Sequence, residues 1–311
     1  MATITIGSFN LDHDGFTKSP RGGGHFDKWH EAHEILSSSY SFDVLFRQEM
    51  SHSAADGGRL LHEAERMLGM RGFMAPSAPA ESHNPTGLFI REDTFRVTGV
   101  WPQEKDWWLP PCVVSTRYAE TGVPLQLASV HLGYRSPARR QIEADNMTTW
   151  QRPDLAVLLG GDFNSYSGSD REQQPFPDWP NLLDRAHQEH RTRSGSVTDT
   201  EPDRILTAVG IDDVALHAAT HLGQADALAA TASMDPATRK RQGPAQRIDF
   251  QRASRVLLPA LRDFRVVPLP DLSDHPLTIS VWDADAFITG LEKHRTFDYR
   301  RPSRACAALE E

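Results

Sequence analysis

The chain repeats one device: an apolar run of strand length that closes on an acid, an amide or an imidazole. Asn10 follows TITIGSF, Glu49 follows DVLFRQ, His131 follows LQLASV, and Asp162 with Asn164 follows LAVLLGG. Further along, Asp249 follows QRI, and Asp274 with His275 precedes PLTISVW. Alternation and β-branched content mark such runs as strands; over residues 3 to 10, Ile4, Ile6 and Ser8 point one way and Thr5, Gly7 and Phe9 the other. A sheet gathers strand ends at one rim. Residues i and i+2 of a strand share a face, so Asp162 and Asn164 are expected to project in the same direction. Gly160 and Gly161 before them leave room for a close approach. A rim of four carboxylates, two amides and two imidazoles is poorly explained by stability, because unpaired buried charge is costly. A hard divalent cation changes that account, since Mg²⁺ or Mn²⁺ takes oxygen ligands from one or two carboxylates plus a substrate phosphate.

Helical spacing separates these runs. Phe26, Trp29, His33 and Leu36 predict an amphipathic helix over 26 to 38, and Leu60, Leu61, Ala64 and Leu68 another over about 57 to 69. A third is predicted over 136 to 150, where Pro137 suits a first turn. Residues 168 to 246 are polar and irregular, with Pro175, Pro177 and Pro180 and a helical stretch around 212 to 232. Strand patterns return in QRIDFQRAS, FRVVPL and SDHPLTISVW. Strands at both ends, with no linker or repeat, predict one mixed domain over 1 to 285 with an insert near 168 to 246. Residues 286 to 311 read as a charged helix or tail.

Composition narrows the partners. The formal charge of −9 opposes a broad grip on a phosphate backbone. Cys112 and Cys306 are far apart and in no metal-ligand spacing, no window nears the length of a membrane span, and the N-terminus lacks a basic region leading into a long apolar stretch. The expectation is a cytoplasmic protein. Trp107 and Trp108 read first as core or a loop staple, with a stacking platform as the minority alternative, and TRKRQ at 238 to 242 reads equally as a substrate-contacting basic loop or an exposed linker. Among the remaining histidines, including His13, His30, His33 and His187, nothing distinguishes a functional one.

Taken in order, SFNLD, FRQE, SVHL, GGDFNS, RIDF and SDHPL resemble the motifs of the endonuclease/exonuclease/phosphatase superfamily, the DNase I-like fold, from about residue 4 to 282. The resemblance implies an α+β, four-layer α/β/β/α sandwich in which two mostly antiparallel sheets pack face to face under outer helices, with a metal site at one end. It also implies that Glu49 is the principal metal ligand, with Asn10 beside it and Asp274 assisting. His131 then acts on the phosphate, Asp162 and Asn164 orient the water and hold the phosphoryl group, and Asp249 orients His275. Arg135 is close enough in sequence to His131 to touch a phosphate. One branch of the superfamily has a metal-binding aspartate at the place of Asp12, but an Asx turn serves equally there, so Asp12 and Asp14 stay outside the ligand set.

The expected activity is phosphoester hydrolysis with Mg²⁺ or Mn²⁺, by in-line attack of water on a small or nucleotide-like substrate, favoured over nucleic acid on charge. A nuclease, a biosynthetic enzyme using the same rim for other chemistry, and a non-catalytic binding protein remain open as alternatives.

Overall fold

The structure is a computed structural model that describes residues 2–20, 22–76, 84–169 and 175–294. Two six-stranded sheets form its centre. The first holds β1 (Thr3–Asn10), β2 (Val44–Gln48), β3 (Arg71–Met74), β4 (Gly87–Ile90), and the later β11 (Leu261–Val267) and β12 (Leu277–Asp283), in the order β11-β12-β1-β2-β4-β3. The second holds β5 (Phe95–Val100), β6 (Cys112–Tyr118), β7 (Pro124–His131), β8 (Ala156–Asp162), β9 (Ile211–Asp213) and β10 (Asp249–Ser254), in the order β9-β10-β8-β7-β6-β5. Within each sheet one central pair is parallel, β1 with β2 and β7 with β8, and the other pairings are antiparallel.

Both faces of each sheet are covered at its centre, which is why central strands such as β2 and β8 are buried at every position, while the edge strand β5 alternates. Between the sheets, Ile6, Val44, Phe46 and Leu88 meet Val114, Leu127 and Leu158 in one core. Outside the first sheet, α1 (Asp27–Ser39) and α2 (Ala55–Leu68) set Trp29, Leu36, Leu60 and Ala64 against Phe9, Leu45 and Phe89. Outside the second, α3 (Pro137–Thr148) packs Ala144 and Met147 on Ala128, Val130 and Leu159. Its first turn is set as the sequence implies, with Pro137 in place and Ser136 accepting from the Arg139 N–H. The α+β four-layer sandwich is therefore the observed architecture.

The 168 to 246 stretch is more ordered than its composition suggests. It carries α4 (Arg185–Arg191), α5 (Glu201–Ala208), α6 (Val214–His221) and α7 (Pro236–Gln242). The helix expected around 212 to 232 is broken up: Asp212 and Asp213 belong to β9, Asp213 caps α6, and a short 3-10 turn follows at Ala225–Leu228. The TRKRQ segment is α7, not an open loop. Beyond residue 285, α8 (Ala284–Lys293) places Phe287 and Leu291 in the inter-sheet core, so its apolar face is part of the packed structure; residues 295–311, with Cys306, lie outside the described residues. Among the described residues no helix is long and apolar enough to cross a membrane.

Candidate active site

The C-terminal ends of β1, β2, β7 and β8 and the N-terminal starts of β10 and β12 meet at one rim, because the first four run parallel within their central pairs and the last two run against them. Register places Asp162 beside both His131 and Asp249. A cleft of about 390 Å³ opens there, lined by Glu49, His131, Asp162, Asn164, Asp274 and His275 of the expected set.

One wall is acidic. Glu49 sits just past β2 with φ 58°, a left-handed conformation that turns its carboxylate off the strand line. Its Oε2 accepts from the His13 N–H at 3.0 Å and from Asn84 Nδ2 at 3.3 Å, and its Oε1 accepts from Asn10 Nδ2 at 3.4 Å. Asn10 is buried, and its Oδ1 accepts from the Asp12 N–H at 3.2 Å, so it braces Glu49 and the following turn. That turn holds three consecutive left-handed residues, Asp12, His13 and Asp14. It brings ligand atoms of Asp12, His13 and Glu49 within 4.8 Å of one another. Partial burial, then the nearby carboxylates of Asp274 and Glu49, push the Asp12 carboxyl above its ordinary range. Crowded carboxylate oxygens with one imidazole are a donor set that fits a hard divalent cation.

Asp14 points away from this wall into the protein. It is fully buried, accepts from the His52 N–H and Ser53 Oγ at 2.9 Å each, and stands 3.6 Å from the buried Arg47 guanidinium. Arg47 in turn meets His33 Nε2 at 2.9 Å.

The facing group joins both sheets: His131, Asp162 and Asp249 stand on strands of the second, and His275 reaches them from the loop before β12 of the first. His275 Nδ1 lies 2.8 Å from Asp249 Oδ2, and its Nε2 faces Asp162 Oδ2 at 4.0 Å and Asp274 Oδ1 at 3.9 Å. Burial opposes charge on His275, but Asp249, Asp162 and Asp274 outweigh it and hold the imidazole well above its usual range. His131 Nε2 is 3.5 Å from Asp162 Oδ2. Its buried Nδ1 has no hydrogen-bond partner among the described residues.

Asn164 departs from the expected geometry. The strand ends at Asp162, and Asn164 is in a left-handed turn (φ 50°) whose N–H donates to Asp162 Oδ1 at 2.8 Å. The two side chains share the cleft through an Asx turn, not through strand alternation. The preceding glycines serve packing: a Cβ on Gly160 would lie 2.5 Å from the Phe46 ring, and one on Gly161 (φ 153°) would lie 1.8 Å from the Val130 carbonyl oxygen. The close approach they permit is of neighbouring strands.

Arg135 does not line the cleft. It lies over the Trp108 and Tyr134 rings, 5.1 and 5.0 Å from their centroids, and donates from Nε to the Tyr134 hydroxyl at 2.6 Å. Trp107 stacks on Trp150 in the core, whereas Trp108 and Tyr134 border the cleft. From α7, Thr238 and Gln242 face the cleft, while Arg239 is turned to the Ser233 and Met234 carbonyls.

Several residues of the site escaped sequence reasoning. Asp12, clustered with His13 and Glu49 on the acidic wall, had a weak signal, its offset of two from Asn10. His13, Asn84, Tyr166, His187 and Arg191 had none, because loops and the 168 to 246 stretch bring them in.

No family model and no curated protein sequence matches the chain. Solved structures do. An endonuclease/exonuclease/phosphatase family protein from Bacteroides thetaiotaomicron is 16% identical over 91% of this chain and 96% of its own, with a TM-score of 0.55. An AP endonuclease from Archaeoglobus fulgidus is 14% identical over 90% of this chain and all (100%) of its own, with a TM-score of 0.56. A mannosyl-6-phosphatase from Bacteroides thetaiotaomicron is 16% identical over 89% and 98%, with a TM-score of 0.53. At these identities the likeness establishes that this chain has the endonuclease/exonuclease/phosphatase fold; the chemistry rests on the site.

Proposed function

We propose that the chain is a divalent-metal-dependent phosphoesterase that hydrolyses a small or nucleotide-like phosphoester by in-line attack of water. The observation that carries this reading is the meeting, in one cleft, of an acidic oxygen cluster suited to a hard cation and a carboxylate-backed imidazole beside a third carboxylate. The neighbours in the fold include an AP endonuclease and a mannosyl-6-phosphatase, which agrees with phosphoester chemistry.

Glu49 and Asp12, with Asp274 beside them, would hold Mg²⁺ or Mn²⁺, which supplies polarisation and charge neutralisation at a phosphoryl oxygen. Asp162, held by the Asn164 N–H on one oxygen, presents the other to orient the water and take its proton. Asp249 fixes the His275 proton pattern, leaving Nε2–H aimed into the cleft to stabilise developing charge. His131 flanks Asp162 from the neighbouring strand. Asn164 spends one amide hydrogen on the Leu132 carbonyl and has a second for the phosphoryl group.

Metal-stripped protein should regain activity with Mg²⁺ or Mn²⁺ in a panel of a nucleotide, a generic phosphodiester, a single-stranded oligonucleotide and a plasmid. Glu49→Ala should abolish metal-dependent turnover while melting like the wild type; undiminished turnover in that variant sinks the assignment. Robust plasmid nicking would overturn the preference for a small substrate.

A further inference from the structure

On the second-sheet side of the molecule, buried or nearly buried arginines are paired with acids. Arg140 meets Asp199 at 2.7 Å, Arg247 meets Asp213 at 2.6 Å, Arg255 meets Asp212 at 2.5 Å, and Arg252 pairs with Asp203. Arg191, at the end of α4, is different: it lines the cleft, and among the described residues it makes no ion pair. Its guanidinium donates from Nη2 to Asn164 Oδ1 at 2.6 Å and from Nη1 to the Asn164 carbonyl. A guanidinium has five N–H donors in a planar fork, so these two contacts fix its orientation and leave others for a ligand.

Beside it in the cleft, His187 and Tyr166 are uncharged, and the nearby Arg140 is paired with Asp199. His187, one turn earlier on α4, is held down to about 3 by burial and then by Arg191 itself, so it is neutral at physiological pH. Burial raises the Tyr166 hydroxyl above its ordinary range, keeping it a neutral donor. Arg191 is also the one arginine or lysine among the described residues that line the cleft.

We propose that Arg191 is a substrate-binding residue, holding a non-bridging phosphoryl oxygen from the Asn164 side of the cleft. Because it is the one arginine or lysine lining the cleft among the described residues, the site suits a compact molecule carrying one phosphate rather than a polyphosphate or a polynucleotide. This rests on the phosphoesterase reading above.

The test titrates inorganic phosphate calorimetrically into Mn²⁺-loaded wild type and Arg191→Met, and compares their kcat/KM for a nucleoside monophosphate. A charge-assisted hydrogen bond to phosphate is worth about 10- to 100-fold in affinity. Phosphate affinity and kcat/KM should both fall by about that factor, with Mn²⁺ affinity unchanged. Wild type should also bind a nucleoside diphosphate no tighter than the monophosphate. If Arg191→Met melts early, Arg191→Lys, which keeps the charge and loses the fork, carries the comparison and should show a smaller loss. Unchanged phosphate affinity in the variant, or much tighter diphosphate binding in the wild type, overturns the inference. An active wild type with an unimpaired variant removes only Arg191; a wild type that neither binds Mn²⁺ nor turns over any phosphoester removes the phosphoesterase reading instead.

Discussion

His275 and Asp249 show what a single pair decides. The imidazole stays cationic near neutrality only because carboxylates surround it, and Asp249 is the one bonded to its Nδ1. Asp249→Asn keeps the shape and removes the charge, so turnover should drop about 10²- to 10⁴-fold with little change in melting temperature. Steady-state rates beside a melting curve check this, and a variant as active as wild type would show that His275 needs no counterion. Residues of this kind were legible in the sequence because their chemistry is in the side chain and their place is a strand end. His13 was not, and Asp12 only weakly, since they reach Glu49 through a run of left-handed backbone that leaves no periodic trace.

Between elements, the buried chain from α1 to the first loop is built from His33, Arg47 and Asp14, one each from helix, strand and turn. Burial, then the Arg47 charge, holds the His33 imidazole well below its ordinary range. A folded-state value below the unfolded one, about 6.5, means that the unfolded chain takes up the proton first. The stability this group contributes is therefore complete above that value and is lost as pH falls beneath it. His187, held down to about 3, has the same sign. Urea denaturation at steps from pH 8 to pH 5 should show a declining midpoint below about pH 6.5, and His33→Gln should be less stable throughout but flatter with pH. An equally steep decline in that variant would place the dependence elsewhere. Ion pairs also explain why the 168 to 246 stretch resisted reading. Its helices are only seven or eight residues long, too short for periodicity to declare. Asp199, Asp203 and Asp213 tie this stretch to Arg140, Arg252 and Arg247, pairs distant in sequence that no local pattern reveals.

For the molecule as a whole, the order of strands and the polar ends were enough to anticipate one mixed domain with a common rim, and the sandwich followed only from the resemblance of the six motifs to a known fold. What alternation could not anticipate was how closely the sheets meet. Gly160 on β8 faces the Phe46 ring on β2, with no room for a methyl group. Gly160→Ala should cost about 1 to 3 kcal/mol in denaturant titrations, as overpacking does in a tight core. A variant as stable as the wild type would mean that Phe46 swings aside freely.

That contact has a further meaning. The proposed cation site hangs from the end of β2 in one sheet, while Asp162 ends β8 in the other, so the gap between cation and water is set by how thick the sandwich is at Gly160 and Phe46. The core thus acts as a spacer gauge for the chemistry, and a change in its filling is felt as a misplaced nucleophile, even where the cleft itself is untouched.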